Sequence, residues 1–110
     1  MTIKIPLENP FLGWNEQTQC FGNYATDELG IECGPKAEGA ARWCAMGRLC
    51  YMEVDKVLIS GFSRWCMDNY NNQPVTVLND GLHWTPRDFA WAWQKFEVDL
   101  AAQPERYAVK

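Results

Sequence analysis

The sequence predicts an α+β domain, compact and mostly helical, with three helices and a small antiparallel β-hairpin. Apolar residues recur with helical spacing in three stretches of the chain, and two short, partly apolar segments flank a turn. A chain of 110 residues with 47% apolar and 22% charged residues is long enough to fold around one core of its own. We therefore predict a single domain at 1–110, with an irregular N-terminal arm at 1–19 and a frayed tail at 105–110.

The first third of the chain predicts the arm and then the hairpin. Proline and glycine interrupt the arm, so we expect one short strand at Ile3–Leu7 and anchoring of the remainder by Phe11 and Trp14. Asp27–Gly30 has the composition of a turn, with glycine at its last position, and partly apolar segments lie on both sides of it. The segment Cys20–Cys33 is therefore predicted to form the hairpin.

The stretch Ala40–Met52 predicts the central helix of the domain. Both of its helical faces are largely apolar, so this helix should be covered on more than one side. Gly34–Lys36 breaks regular structure, and we place the helix start near Ala37 or Glu38. Gly47 costs roughly 1 kcal/mol relative to alanine in mid-helix, which indicates that another element crosses closely there. The first face comprises Ala40, Trp43, Cys44, Gly47, Cys50, Tyr51 and Val54.

A second helix is predicted at Lys56–Tyr70, with Asp55 as its N-cap. An alternative for Val57–Ser60 is a short strand, but the same apolar face continues for two further turns and favours the helix. After a turn, Val75–Leu78 is predicted as a third short strand. The apolar face of the second helix comprises Leu58, Ile59, Phe62, Trp65, Cys66 and Tyr70.

The last helix has the clearest boundaries in the sequence. Thr85 offers a hydroxyl N-cap, Pro86 suits the first helical position, and Asp88 places a carboxylate in the first turn. We expect the helix to end near Ala102, before Pro104. Its apolar stripe comprises Phe89, Trp93, Phe96 and Leu100.

Charge and cysteine content limit the function classes. The formal net charge is −4 and the Lys and Arg residues are scattered singly, so the chain lacks the basic surface of a direct nucleic-acid binder. The sequence has no signal-peptide pattern and no apolar run long enough to span a bilayer, so we predict a cytoplasmic protein without membrane contact. The cysteines form no C-x-x-C pair and are expected to be reduced and mostly buried: Cys20, Cys33, Cys44, Cys50 and Cys66.

A catalytic constellation can be assembled only around the single histidine, His83. It lies in a loop with Asp80, and a cysteine thiol could supply a nucleophile, but no catalytic motif surrounds any cysteine. The competing interpretation is a turn stabilised by the side chains of Asn79 and Asp80, with His83 solvated, and motif specificity favours it. No cysteine spacing matches a zinc site and no glycine-rich phosphate loop is present, so we predict no metal and no cofactor.

The side of the last helix opposite its apolar stripe carries Trp91 and Val98. Large apolar residues in that position predict an exposed patch of the kind that binds partner proteins. Trp84, in the preceding loop, is a third candidate contact. The alternative for Trp91 is packing beneath the N-terminal arm, against Phe11 or Trp14.

Three motifs, in this order along the chain, resemble those of a small domain family of unknown function from bacterial and phage genomes. They are Trp14 with a G-x-Y-A…G segment at Gly22–Gly30, a W-C-A-x-G helix at Trp43–Gly47, and Asn79–Asp80 before the helix capped by Thr85. The resemblance covers about Trp14–Leu100, and W-C-A-x-G is its most specific part. Arg48 stands where the family has a small residue, and Leu78 where it has tryptophan. Because the family has no established activity, the resemblance implies a fold and no chemistry.

These observations predict a non-enzymatic protein-binding module that acts through an aromatic and acidic surface. Its small size, acidity and lack of a catalytic motif also fit phage-encoded inhibitors of host machinery, anti-CRISPR proteins among them. The expected partner is a protein, alone or within a nucleoprotein complex, and a second copy of the chain is an alternative. The competing function is a small enzyme that uses His83 with Asp80 or a thiol.

Overall fold

The computed structural model of the protein describes residues 5–19, 24–80 and 84–108. It is about 49% helical and 7% strand, so the α+β class with mostly helical content is confirmed. Within the described ranges, no helix is both long enough and apolar enough to cross a membrane. The elements are β1 (Ala25–Thr26), β2 (Glu32–Cys33), β3 (Arg42–Trp43), α1 (Ala45–Tyr51), α2 (Lys56–Asn69), α3 (Val75–Asn79), α4 (Pro86–Ala102) and α5 (Pro104–Tyr107).

The hydrophobic core is an aromatic cluster between α2, α4 and the N-terminal arm. Phe11 is buried, and its ring centroid lies 5.7 Å from that of Phe62, 5.5 Å from that of Phe89 and 6.0 Å from that of Trp93. Trp14 is buried beside it, 5.9 Å from Phe89. The expectation that Phe11 and Trp14 anchor the arm is therefore confirmed, because their rings complete the core.

The helix α2 agrees with the prediction at its start and along its inner face. The Asp55 carboxylate accepts a hydrogen bond of 2.9 Å from the Val57 N–H and caps the helix. The strand considered for Val57–Ser60 is wrong, since these residues lie in the first turns of α2. The buried residues of α2 are Leu58, Ile59, Gly61, Phe62, Trp65 and Cys66.

The helix α4 also agrees with the prediction. Thr85 Oγ1 accepts from the Asp88 N–H at 3.4 Å, and the Asp88 carboxylate accepts from the Thr85 N–H at 2.8 Å, which together form a capping box. The helix ends at Ala102, directly before Gln103 and Pro104. The predicted stripe is buried, together with Ala92: Phe89, Trp93, Phe96 and Leu100.

The predicted hairpin is present, although its strands are short. The strands β1 and β2 are antiparallel, with Ala25 opposite Cys33. In the turn between them, the Asp27 carboxylate accepts 2.9 Å hydrogen bonds from the backbone N–H groups of Leu29 and Ile31. Gly30 has φ +84°, a conformation that glycine adopts without strain. Cys20, the predicted start of the hairpin, lies outside the described residues.

The predicted central helix is wrong for its first half. Residues 42–43 form the strand β3, which pairs antiparallel with β1 and places Trp43 opposite Ala25. The Ala41 N–H donates to the Thr26 carbonyl at 2.8 Å, and the Cys44 N–H donates to the Tyr24 carbonyl at 3.2 Å. The backbone thus finds its partners on β1, and the helix begins only at Ala45.

The remaining helix, α1, is also less enclosed than expected. Tyr51 and Met52 are exposed, so the prediction of cover on more than one side is wrong at this end. The close approach predicted at Gly47 is confirmed: a Cβ atom there would overlap with the backbone carbonyl of Tyr24.

The third strand predicted at Val75–Leu78 is wrong, because these residues belong to the helix α3. Val75, Leu78 and Asn79 are its buried residues, and they have the i, i+3, i+4 spacing of a helix face. A run of four apolar or β-branched residues does not by itself distinguish a strand from a buried turn of helix. Pro74 precedes the helix as its N-cap residue.

The chain ends differ from the prediction. Residues 5–7 form no strand, and Ile3 and Lys4 lie outside the described residues. The frayed tail is wrong for residues 105–108, because α5 packs against α2 and buries Tyr107. The Tyr107 hydroxyl donates to the Asp68 carboxylate at 2.8 Å, and this bond ties the tail to the outer side of α2.

Candidate partner-binding surface

The buried stripe of α4 determines which of its side chains face outward. Trp93 is 1% exposed, whereas Trp91 is 53% and Val98 is 67% exposed. Trp91 is the one exposed tryptophan among the six in the chain. Lys95 lies one turn beyond Trp91 on the same side. We call Trp91, Lys95 and Val98 the outer face of α4; the exposure predicted for Trp91 and Val98 is confirmed.

A shallow groove of about 360 Å³ runs beside Trp91 and Val98, between α4 and the C-terminal end of α2. The indole N–H of Trp65 donates to the Asp99 carboxylate at 2.6 Å, and the Asn69 amide donates to the Trp65 carbonyl at 2.8 Å. These polar groups are thus already paired within the protein. The groove therefore offers a partner ring and aliphatic surface together with a similar amount of polar surface. Its walls are Trp65, Asn69, Tyr70, Trp91, Lys95, Val98 and Asp99.

Positive charge accompanies the exposed ring. The ammonium of Lys95 lies 5.5 Å from the centroid of the Trp91 ring, within the range of a cation–π contact. Arg87, one turn before Trp91, is also exposed. By contrast, the exposed carboxylates Glu28 and Glu32 lie on the hairpin. Asp99 is nevertheless a wall of the groove, so acidic side chains occur both beside Trp91 and on the hairpin.

The alternative position for Trp91, beneath the N-terminal arm, is wrong. Phe11 and Trp14 lie on the inner side of α4, against Phe89. The arm approaches the helix at Ala90, whose carbonyl accepts a 2.7 Å hydrogen bond from the Asn9 amide. Trp91 points away from this contact and stays half exposed.

Trp84 lies at the edge of the core. Its ring meets those of Tyr70 and Phe89 edge-on, with centroid distances of 4.9 Å and 5.0 Å. Its carbonyl accepts a 2.8 Å hydrogen bond from the Gln17 amide. Because Tyr70 lines the groove beside Trp91, Trp84 supports the groove from behind; its role as a contact residue stays a prediction.

The loop considered for catalysis is only partly described. His83 lies outside the described residues, and Asp80 is the half-buried C-cap of α3. The turn predicted from Asn79 and Asp80 continues into residues outside the described ranges and stays a prediction, but the Asn79 amide itself is buried and bonds to other elements. Its oxygen accepts from the Ala45 N–H at 3.0 Å and from the Gln17 amide at 2.9 Å, and its nitrogen donates to the Thr18 carbonyl at 2.8 Å.

The thiols occupy packing positions. Cys44 and Cys66 are buried, and Cys33 and Cys50 are half-buried. Burial raises the pKa of the Cys66 thiol to about 12, and it also raises the pKa of Cys50. Because the thiolate is the reactive form, both shifts oppose a role as nucleophile. In the described ranges, no three His, Cys, Asp or Glu side chains come together as a metal site.

Two features of this region were not predicted from the sequence. The Asn79 amide joins the arm, α1 and α3, yet nothing in its neighbourhood marks a buried asparagine. Tyr70 was placed on the inner face of α2 but forms a wall of the groove. The sequence does contain a signal for this position of Tyr70. Tyr70 is the last residue of the amphipathic pattern, and side chains at helix ends often lie at the border of the core.

The comparisons found no matching family model, no matching curated protein and no matching solved structure. The resemblance based on the W-C-A-x-G motif therefore stays a hypothesis. The structure also shows that this motif does not lie wholly within a helix. Trp43 ends β3 and Cys44 is the N-cap of α1, so the motif spans a strand-to-helix junction.

Proposed function

We propose that the protein is a non-enzymatic protein-binding module that engages its partner through the outer face of α4. The single observation that supports this most is Trp91, a large ring that is 53% exposed above a groove. Tryptophan is the residue most enriched among those that dominate binding energies, and an exposed ring beside a concavity can anchor a partner. Val98 and the aliphatic stem of Lys95 extend the apolar contact along the helix.

The chemistry of this face defines the partner segment. An apolar side chain of the partner enters the groove beside Trp91, where the neighbouring polar groups are already hydrogen-bonded. A carboxylate next to it meets the ammonium of Lys95, which also stacks on the Trp91 ring. The partner segment is therefore apolar and acidic.

The inhibitor form of this proposal rests on analogy. The chain is small and acidic, as phage-encoded inhibitors such as anti-CRISPR proteins are, and such a protein would act by covering a surface of a host protein complex. This form adds a requirement to the proposal: the captured partner should belong to a larger assembly.

The test is affinity capture from a cell lysate with wild type and Trp91→Ala, read by mass spectrometry. Loss of a dominant anchor should weaken binding by about 2 kcal/mol or more, so the specific partner should disappear from the Trp91→Ala sample. The melting temperature of Trp91→Ala should stay close to that of wild type, because the ring is half exposed.

A matched pair of valines provides the control. Val98→Glu places a negative charge on the outer face, whereas Val77→Glu places the same charge on α3, where Val77 is 46% exposed. Capture should be lost with Val98→Glu and kept with Val77→Glu. An identical set of captured proteins for wild type, Trp91→Ala and Val98→Glu would refute the proposal.

A further inference from the structure

A second concavity, of about 710 Å³, lies between the outer side of α2 and α5. Its walls combine apolar surface with several polar side chains. Two arginines, two serines and an asparagine contribute hydrogen-bond donors to it. We call it the α2–α5 groove. It is lined by Ser60, Gly61, Ser63, Arg64, Met67, Asp68, Asn72, Arg106 and Tyr107.

Contacts at the C-terminal end of the short helix α5 hold this helix against α2 beside the groove. A Cβ atom at Gly61 would overlap with the carbonyl of Tyr107, so only glycine lets α5 approach α2 this closely. The Asp68 carboxylate then accepts from Arg106 Nε at 2.8 Å and, on the same oxygen, from the Tyr107 hydroxyl at 2.8 Å. Arg106 is thereby held through Nε, and its guanidinium lines the groove.

The charges in the groove do not cancel. The hydrogen bond from Arg106 lowers the pKa of Asp68, and the charge of Arg64 acts in the same direction, so Asp68 is ionised at neutral pH. Arg64 lies one helical turn before Asp68, on the same side of α2. Two guanidinium groups therefore face one carboxylate, and the groove keeps a positive charge in a chain whose net charge is −4.

We propose that the α2–α5 groove binds a phosphate group between Arg64 and Arg106, with the hydroxyls of Ser60 and Ser63 as further donors. Guanidinium groups form paired, charge-assisted hydrogen bonds with phosphate oxygens. A phosphate group has enough oxygens for two guanidinium groups and two hydroxyls, whereas a carboxylate has only two. This site is separate from the outer face of α4, and the two proposals can fail independently.

The test is a titration of the ¹⁵N-labelled protein with inorganic phosphate, followed by amide chemical shifts at pH 7. Sodium chloride keeps the ionic strength constant. We expect saturable shifts confined to the residues around the groove. A parallel titration with O-phosphoserine separates the two sources of the phosphate group, since tighter binding of phosphoserine assigns the site to a phosphorylated side chain rather than to the free ion.

Two arginine variants make the test specific. Arg64→Ala removes one guanidinium without touching the Asp68–Arg106 bond and should weaken phosphate binding about tenfold or more. Arg87→Ala, an exposed arginine on α4, should leave it unchanged. Non-saturable shifts, shifts that sodium chloride alone reproduces, or equal binding by wild type and Arg64→Ala would overturn the proposal.

Discussion

The helix α4 and the segment Ala40–Tyr51 contain equally strong helical patterns, yet only α4 is helical throughout. In α4, Thr85 and Asp88 close a capping box at one end, and Pro104 lies just beyond the other. The segment Ala40–Tyr51 has only the Cys44 thiol as a cap, and two of its residues, Arg42 and Trp43, pair with β1 as a strand. An apolar period alone predicts burial, whereas helix boundaries depend on the groups that satisfy the backbone at each end.

The partners that determine the start of α1 come from distant parts of the chain. The Ala45 N–H donates to the side chain of Asn79, which is 34 residues away in sequence. The Cys44 N–H donates to the carbonyl of Tyr24, a residue with φ +66° that precedes β1. The comparison can be tested by removing the side chains that bind the backbone at the start of α1 and at the start of α4.

The largest expected effect is that of Asn79→Ala. The substitution leaves the buried N–H of Ala45 and the carbonyl of Thr18 without their partner, at about 1–3 kcal/mol each, so we expect a total loss of roughly 2–6 kcal/mol. Urea denaturation measures it. Asn15→Ala, at an exposed position in the arm, is the matched control and should be nearly neutral.

A milder variant removes one of the hydrogen bonds of Asn79 and leaves the Asn79 side chain in place. Gln17→Ala removes one donor to Asn79 and one to the Trp84 carbonyl but leaves the Ala45 contact in place, so it should cost about 1–3 kcal/mol. If Asn79→Ala costs no more than Gln17→Ala, the amide does not determine the start of α1, and the contrast with α4 has another origin.

The parts of the fold that the sequence predicted are those with local determinants. The start of α2 follows from Asp55, the hairpin turn from Asp27 and Gly30, and both ends of α4 from its own flanking residues. The strand β3 and the helix α5 could not be predicted in this way. The strand needs the edge of β1, and α5 needs the glycine at position 61, where its backbone approaches α2.

The same division applies to the candidate surface. The exposure of Trp91 and Val98 follows from the helical phase of α4, which the sequence contains. The groove beside them depends on how the end of α2 packs on α4 and brings Tyr70 to its wall. That arrangement, like the meeting of Arg106 with Asp68, is a tertiary contact without a local pattern.

The next effect in size is that of Gly47→Ala in α1. Alanine gains roughly 1 kcal/mol of helix propensity over glycine, but its Cβ atom would overlap with the Tyr24 carbonyl. Because backbone must move to make room, we expect a net loss of about 1–3 kcal/mol in urea. Gly39→Ala, where an added Cβ atom meets no neighbour, should not destabilise the protein. Equal stability of the two variants would show that the Tyr24 carbonyl does not constrain α1.

The smallest effect is expected at the capped end of α4. Thr85→Ala removes the hydroxyl that accepts the Asp88 N–H and should cost about 1 kcal/mol, while Thr85→Ser keeps the hydroxyl and should be nearly neutral. Thr85→Asp is more informative, because an aspartate can cap a helix but would stand beside the Asp88 carboxylate, 3.0 Å from the present hydroxyl. We expect Thr85→Asp to be less stable than Thr85→Ser in urea at pH 7, because two carboxylates would then lie side by side. Equal stability of Thr85→Asp and Thr85→Ser would mean that repulsion from the Asp88 carboxylate contributes nothing, and that any side-chain acceptor at position 85 is enough to cap α4.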